Sequence, residues 1–328
     1  MHRQLIAAAA AAAVLVLAAG PAHADGPVTA SANELTVAVI GDTPYGAEQL
    51  AQFPALIADI NADPKVDLTL HLGDIKSGST PCSDAYFQTI SSLFETFKDP
   101  LAYTPGDNEW TDCHRPNNGG YDPLERLAAL RETFFAEPGR TLGGRNKRVL
   151  AQPSYPENQL WLQSRVAFSA VHVVGSQNNL APWTNETPEQ RDRRIAEAEA
   201  RIAAALRWID ATFALARVTG ASGVVVAMQA DTFFADNETT PGFAAIVDRL
   251  QRRAAQFARP VLLLQGDTHD FLVDTPLAGA PNVTRIVVEG ETASEWLRVT
   301  VNPRHAQVFT WQRVALPADP ARAEQPAR

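Results

Sequence analysis

The sequence has only two cysteines, Cys82 and Cys113, and neither stands near its amino-terminal apolar run, so nothing there invites lipid attachment. Past that run, no uninterrupted apolar stretch is long enough to cross a bilayer, which excludes a membrane span in the body of the chain. Basic residues are outnumbered by acidic ones, 28 to 37, for a formal net charge of −9. Such a balance argues against a nucleic-acid backbone as the main partner, and only a local positive site could bind phosphate well. Internal repeats and a clean linker are also missing. What remains is one large domain or two intimate layers.

The apolar run itself reads as a targeting segment. His2 and Arg3 precede Leu5 to Ala19, and Ala22-His23-Ala24 supplies a small-x-small cleavage signal. Residues 1–24 are therefore expected to be a signal peptide, with the mature chain starting at Asp25 in the periplasm or outside the cell. An oxidising compartment makes two cysteines read first as one disulfide. Cys82 follows Asp74 by eight residues and Cys113 follows Asp107 by six, so the bridge would tie together two loops that matter below.

Four times a β-branched, apolar run stops at Gly-Asp. The runs are Val37 to Gly41-Asp42, Leu68 to Gly73-Asp74, Leu101 to Gly106-Asp107, and Val261 to Gly266-Asp267-Thr268-His269. A buried strand ending in glycine and then a carboxylate offers an oxygen ligand at the sheet's edge. Carboxylates crowded there repel unless a cation or protons intervene, so the pattern points to a metal centre. One Gly-Asp alone is more often a turn or a helix cap. Four in one sheet, with His269 beside the last, favour the metal.

Strand and helix alternate at the start of the mature chain. Strands are expected over 34–42, 66–74 and 101–107, with helices over about 47–61 and 83–98, which implies right-handed crossovers and a largely parallel sheet. A helix follows from Pro123 to Phe135, then an irregular excursion from Gly139 to Pro156. Thr187, Pro188 and Gln190 open the best helix of the sequence with a capping box. Ile195, Ile202, Leu206, Ile209 and Phe213 should line its core face. After His269 only strands are expected, forming an antiparallel sheet packed on the first. Pro317 onward reads as a disordered tail.

In order and context these strand ends resemble the calcineurin-like metallophosphoesterase superfamily. The corresponding stretches are Asp42-Thr43-Pro44, Gly73-Asp74, Gly106-Asp107-Asn108-Glu109, Gln229 after the Val224 to Met228 strand, and Gly266-Asp267-Thr268-His269. The resemblance implies an α/β fold, an αββα sandwich of two packed sheets flanked by helices, over residues 25–316. It places Asp42, Asp74 and His269 at metal-ligand positions, with Asp74 bridging. Asp107 stands for an asparagine ligand, Gln229 for a strand histidine and Asp267 for another histidine. Pro44 cannot replace the first histidine, and Asn108 occupies the place of the histidine that supplies a proton.

The candidate metal set is thus Asp42, Asp74, Asp107, Gln229, Asp267 and His269, and the candidate catalytic set is Asn108 with His114 as a substitute proton donor. Oxygen-rich ligation favours magnesium, manganese or calcium over zinc or iron, in one or two divalent ions. Four aspartates would cancel the charge of two such ions, so diesters should be favoured over monoesters. The function implied is hydrolysis of a small phosphate mono- or diester through a metal-activated water. The alternative is a protein of the same fold that binds a cation and a ligand without turnover. Glu109 is expected to brace its turn, Lys76 to be an exposed loop lysine, and His71 and His172 to be packed within strands. Tyr45 and Trp208 carry no functional reading, Trp208 being expected in the core.

Overall fold

Leu35–Ile40 (β1) is buried from end to end, the mark of a strand covered on both faces. Gly46–Ala62 (α1) leads to Val66–His71 (β2), and Asp84–Phe94 (α2) to Leu101–Tyr103 (β3), giving two parallel crossovers. This computed structural model describes residues 34–233 and 240–317, so the expected signal peptide, and the expected tail from residue 318 on, lie outside the described residues. Pro123–Phe134 (α3) is capped by Asp122, whose side chain accepts from the Leu124 and Glu125 N–H groups. Leu150–Gln152 (β4), Tyr155–Gln163 (β5) and Val166–Ala170 (β6) follow, then Pro188–Val218 (α4), Gly223–Ala227 (β7), Pro241–Phe257 (α5) and Val261–Gln265 (β8). Leu272–Asp274 (β9), Val283–Val287 (β10), Glu295–Val301 (β11) and Phe309–Ala315 (β12) complete the chain.

Two sheets result, in the orders β12-β11-β1-β2-β3 and β4-β5-β6-β7-β8-β10-β9. Alternation along β1 sends Val37 and Val39 into the core between the sheets, with Phe168, Val225, Leu262 and Leu264 opposite. Ala38 and Ile40 face the other way, into a layer with Phe53, Leu56, Phe87 and Leu130 from α1, α2 and α3. Ile209, Phe213, Ile246 and Leu250 from α4 and α5 cover the outer face of the second sheet. This is the expected αββα sandwich.

The carboxyl-terminal strands depart from expectation, because they do not form a sheet of their own. β10 is almost wholly buried, with Arg285 paired to Asp231 and Asp274, and inserts beside β8 in parallel, whereas β11 alternates and pairs antiparallel with β1. The irregular excursion likewise contains the edge strand β4. The capping box of α4 is present, with Thr187 and Gln190 exchanging backbone contacts. The buried face of its first half, however, carries Arg194, Ala198 and Arg201, while Ile195 and Ile202 are only partly covered. Those arginines serve the site described next. Trp208 is in the core, its indole N–H donating to the Gln159 carbonyl.

Candidate metal centre

The ends of β1, β2 and β8 bring Asp42, Asp74 and Asp267 together, with Asp107 following β3. The Asp42 N–H donates to the Gly73 carbonyl at 2.9 Å, and the Asp267 N–H donates to Asp42 Oδ1 at 2.9 Å. The glycines ahead of these residues have a steric reason. A Cβ on Gly106 would lie 2.1 Å from Asp74 Oδ1, and one on Gly266 would lie 2.3 Å from Asp42 Oδ2. Asp42, Asp74, Asp267 and His269 all adopt left-handed backbone, with φ of 51°, 54°, 78° and 64°. Strain of this kind, on the order of 1–3 kcal/mol per residue, is held by surrounding structure and concentrates at functional sites.

Two groups of potential ligand atoms lie within 4.8 Å of one another: Asp42, Asp74 and His269, and Asp74, Asp107 and Asp267. Asp74 belongs to both. Its Oδ2 accepts from Tyr45 Oη at 3.0 Å, Asn108 Nδ2 at 3.0 Å and Gln229 Nε2 at 3.1 Å, while Oδ1 accepts from the Asn108 N–H at 3.1 Å. The Tyr45 hydroxyl also receives Asn108 Nδ2 at 2.9 Å and lies 3.3 Å from His269 Nε2. Sequence reasoning left Tyr45 unassigned, and only its place three residues after Asp42 could have signalled it. His269 Nε2 sits 3.7 Å from Asp42 Oδ1, and its Nδ1 faces Glu291 at 3.6 Å. Asp42 Oδ2 is wholly buried and has no hydrogen-bond partner among the described residues.

Gln229 corrects one expectation. Its Oε1 accepts from the Gly175 N–H at 2.7 Å, which fixes the amide orientation and turns Nε2, a donor, toward the carboxylates. It is a hydrogen-bond donor here and offers no oxygen to a metal. His114 is likewise not brought into the cluster. Its Nδ1 accepts from the Thr184 N–H at 2.8 Å, its ring stacks on Trp183, and burial first, then Arg115, lowers its pKa to about 4.

Asp107 is held from the second sheet's side. Ser176 Oγ donates to Asp107 Oδ2 at 2.9 Å and contacts Asp112 Oδ1 at 2.6 Å, and Asp112 pairs with Arg115 at 2.8 Å. Ser176 begins four consecutive left-handed residues, Ser176, Gln177, Asn178 and Asn179, with φ between 49° and 65°. None is glycine, so this turn needs external support. Buried Arg201 donates from Nη2 to the Asn178 carbonyl at 2.9 Å and pairs with Glu197, and Arg194 donates to the Leu180 carbonyl at 2.7 Å. That is why α4 buries arginine where isoleucine was expected.

Behind the site, Glu109 braces its turn as anticipated, Oε1 accepting from Gly106 N at 2.6 Å, Tyr103 Oη at 2.7 Å and Asp74 N at 3.1 Å. Lys76 is not an exposed loop residue. It is fully buried, and its Nζ donates to the carbonyls of Asn108 at 2.6 Å and Ser77 at 3.0 Å and to Asn118 Oδ1 at 3.3 Å. A loop folded back on three oxygen acceptors can bury the ammonium. Cys82 and Cys113 form the expected disulfide, with both sulfurs packed 3.5 and 3.7 Å from the same Asn108 carbonyl. His71 donates from Nε2 to the Thr43 carbonyl at 2.9 Å and accepts at Nδ1 from the Gly73 N–H, and His172 Nδ1 meets Glu157 at 2.9 Å.

Electrostatics follow from this crowding. Burial, with Asp107 and Glu109 nearby, pushes the Asp42 carboxyl up to about 8. Burial and then Asp112 push Asp107 up to about 7, against Ser176 and Arg115. Asp74 and Asp267 go well above the carboxylate range for the same first reason, each aggravated by its acidic neighbours. Burial followed by Asp74 keeps the Tyr45 phenol protonated. Such a cluster holds either protons or a cation.

A model of the calcineurin-like phosphoesterase family matches residues 35–211, over half of the sequence, and the chain belongs to that family. No curated protein matches it in sequence. Among solved structures it is similar to GAP50, the anchor in the inner membrane complex of Plasmodium, at 9% identity, covering 88% of this chain and 90% of that one with a TM-score of 0.42. It is also similar to the purple acid phosphatase PPD1 from yellow lupin seeds, at 12% identity over 87% of this chain and 54% of that one, TM-score 0.44. A putative 5'-nucleotidase from Staphylococcus aureus gives 9% identity, 88% and 55% coverage, and a TM-score of 0.45. The chain thus spans little more than half the length of the last two.

Proposed function

We propose that the chain is an exported, metal-dependent phosphoesterase acting on a small phosphate ester, with residues 25–316 as the working domain. The observation that carries this reading is the wholly buried Asp42 carboxyl, whose Oδ2 has no hydrogen-bond partner among the described residues and which offers a ligand atom within 4.8 Å of those of Asp74 and His269. A buried carboxylate oxygen without a donor is unfavourable by about 1–3 kcal/mol or more, and a hard divalent cation relieves it. The donor set therefore fits such an ion, held by Asp42, Asp74 and His269, with magnesium, manganese or calcium preferred over zinc or iron. When bound, the ion would supply charge stabilisation at the phosphoryl oxygens and a lowered pKa for water.

The chain's own residues would do the rest. Asn108 and Tyr45 hold Asp74 in place, and the outward amide oxygen of Asn108 faces the Gly78 and Arg115 side of the site. Arg115, partly exposed, is the positive group next to that opening. A specific observation favours the rival reading of a protein that binds without turnover. Asn108 spends its amide hydrogens on Asp74 and Tyr45 and has no proton to transfer to a leaving group. Hydrolysis of a chromogenic diester and monoester, assayed with added manganese, magnesium or calcium in wild type and Asp74→Asn, separates the two. Metal-dependent turnover with diester preference, lost in Asp74→Asn, supports the enzyme. Rates equal to buffer for a metal-loaded wild type leave the binding protein.

A further inference from the structure

We infer that this site is built for one cation, because the side-chain amide of Gln229 donates to Asp74, the carboxylate that two ions would have to share. The inference rests on the metal centre proposed above and fixes its stoichiometry.

The two ligand groups that share Asp74 are chemically unequal. In the first, Asp42 Oδ2 is buried and unpartnered, and His269 directs Nε2 toward Asp42 and Tyr45. An acceptor oxygen is open there, beside an imidazole whose Nε2 contacts are the 3.3 Å approach of Tyr45 Oη and the more distant Asp42. In the second, Asp74 Oδ2 and Asp107 Oδ2 already have side-chain donors. Gln229 Nε2 donates to Asp74 Oδ2 at 3.1 Å. Asp107 Oδ2 is taken by the Ser176 hydroxyl at 2.9 Å. An amide NH2 carries donor hydrogens and partial positive charge, so it satisfies the shared carboxylate in part as a cation would, with no ion bound.

Gln229 cannot simply turn over and become an oxygen ligand. Its Oε1 is the acceptor for the Gly175 N–H at 2.7 Å, and reversal would set an NH2 against that N–H and leave a buried donor unpaired. Nor can it swing away. It is fully buried, and its Cβ and Cγ pack so closely on Gly73 that a Cβ there would lie 2.9 Å from both. On Asp107's far side Gly175 approaches so tightly that a Cβ there would meet the carboxyl oxygens at 2.6 and 2.8 Å. The backbone of 175–176 and the Gln229 side chain close the second position together.

Manganese tests this with a readout independent of turnover. Wild-type protein, stripped with chelator and reloaded with Mn²⁺, should bind one ion per chain by calorimetry and elemental analysis, with the paramagnetic resonance spectrum of an isolated ion. Gln229→Glu replaces the donor NH2 by an oxygen ligand of the same shape. It should bind two ions with a spin-coupled spectrum. Two coupled ions in wild type overturn the inference while leaving the metal centre intact. One ion in both proteins removes Gln229 as the reason. No bound ion in wild type removes the metal centre itself, and the inference with it. Should Gln229→Glu not fold, the wild-type stoichiometry alone decides.

Discussion

Stability should depend on metal and pH together, and the size of the effect can be worked from the site. Asp42 lies at about 8 and Asp107 at about 7 in the metal-free fold, against 3.8 for an ordinary aspartate, with burial the first cause of each. A carboxyl raised on folding favours the native state below its unfolded pKa, and that contribution is lost as pH rises through the folded value. For the metal-free protein the loss therefore runs from about pH 4 to about pH 8. Each proton held only by the native state is worth ~1.4 kcal/mol per pH unit. Asp42 alone then accounts for ~2.7 kcal/mol between about pH 5.5 and about pH 7.5.

The groups facing Asp42 are Asp74, Asp107, Glu109, Asp267 and Tyr45, with His269 at the rim. A cation replaces the proton, so the loaded protein escapes the loss. His71, His114 and His172, all lowered first by burial, act in the opposite sense as pH rises toward their ordinary value of 6.5. They do so with or without metal and cancel in the difference. The stabilisation by saturating Mn²⁺ should thus grow by about 5 °C in Tm from about pH 5.5 to about pH 7.5, taking roughly 2 °C per kcal/mol for a chain of this size. Differential scanning calorimetry with and without chelator at both pH values measures it. A metal shift that is zero, or equal at the two pH values, refutes the reasoning.

Three further changes to the chain have expected outcomes. Asn108→His, which restores a side chain able to transfer a proton, should raise hydrolysis by ~10²- to 10⁴-fold where chemistry limits the rate, read from kcat on a diester. Replacing both cysteines by alanine opens a loop with a sequence separation of 31 and should lower stability by ~3.5 kcal/mol, read by urea unfolding. The same change frees the Asn108 carbonyl from the two sulfurs, so metal affinity should fall as well. Arg201→Met strands the Asn178 carbonyl and Glu197 and should remove ~3–5 kcal/mol, visible in the same unfolding midpoint.

The strand-end aspartates were legible in the sequence because they are local patterns, and the sandwich was legible only through the family resemblance those strand ends carry. Apolar runs closed by Gly-Asp encode a strand and its terminal carboxylate within a few residues, and the capping box of Thr187 is local too. Tyr45, Ser176 and Lys76 were not legible as site residues. Their roles depend on partners far along the chain: Tyr45 on His269, Ser176 on Asp107, Lys76 on Asn108 and Asn118. The same holds for α4, where the hydrophobic spacing pointed to isoleucines while a left-handed turn elsewhere required arginines. Gln229 was found by its position after a strand. Its orientation was decided by Gly175, a contact across 54 residues that no periodicity announces. The carboxyl-terminal strands were recognised as strands, yet their allocation to two sheets depended on which faces the rest of the fold left to cover.

Whether Asp42, Asp74 and His269 hold a divalent ion is tested most directly by anomalous diffraction from crystals of the protein grown with Mn²⁺. A metal centre built as described gives an anomalous peak within bonding distance of Asp42 Oδ2 and His269 Nε2, with Asp74 as the third protein ligand. No peak there under saturating manganese, with Asp42 Oδ2 still unpartnered or protonated, contradicts it.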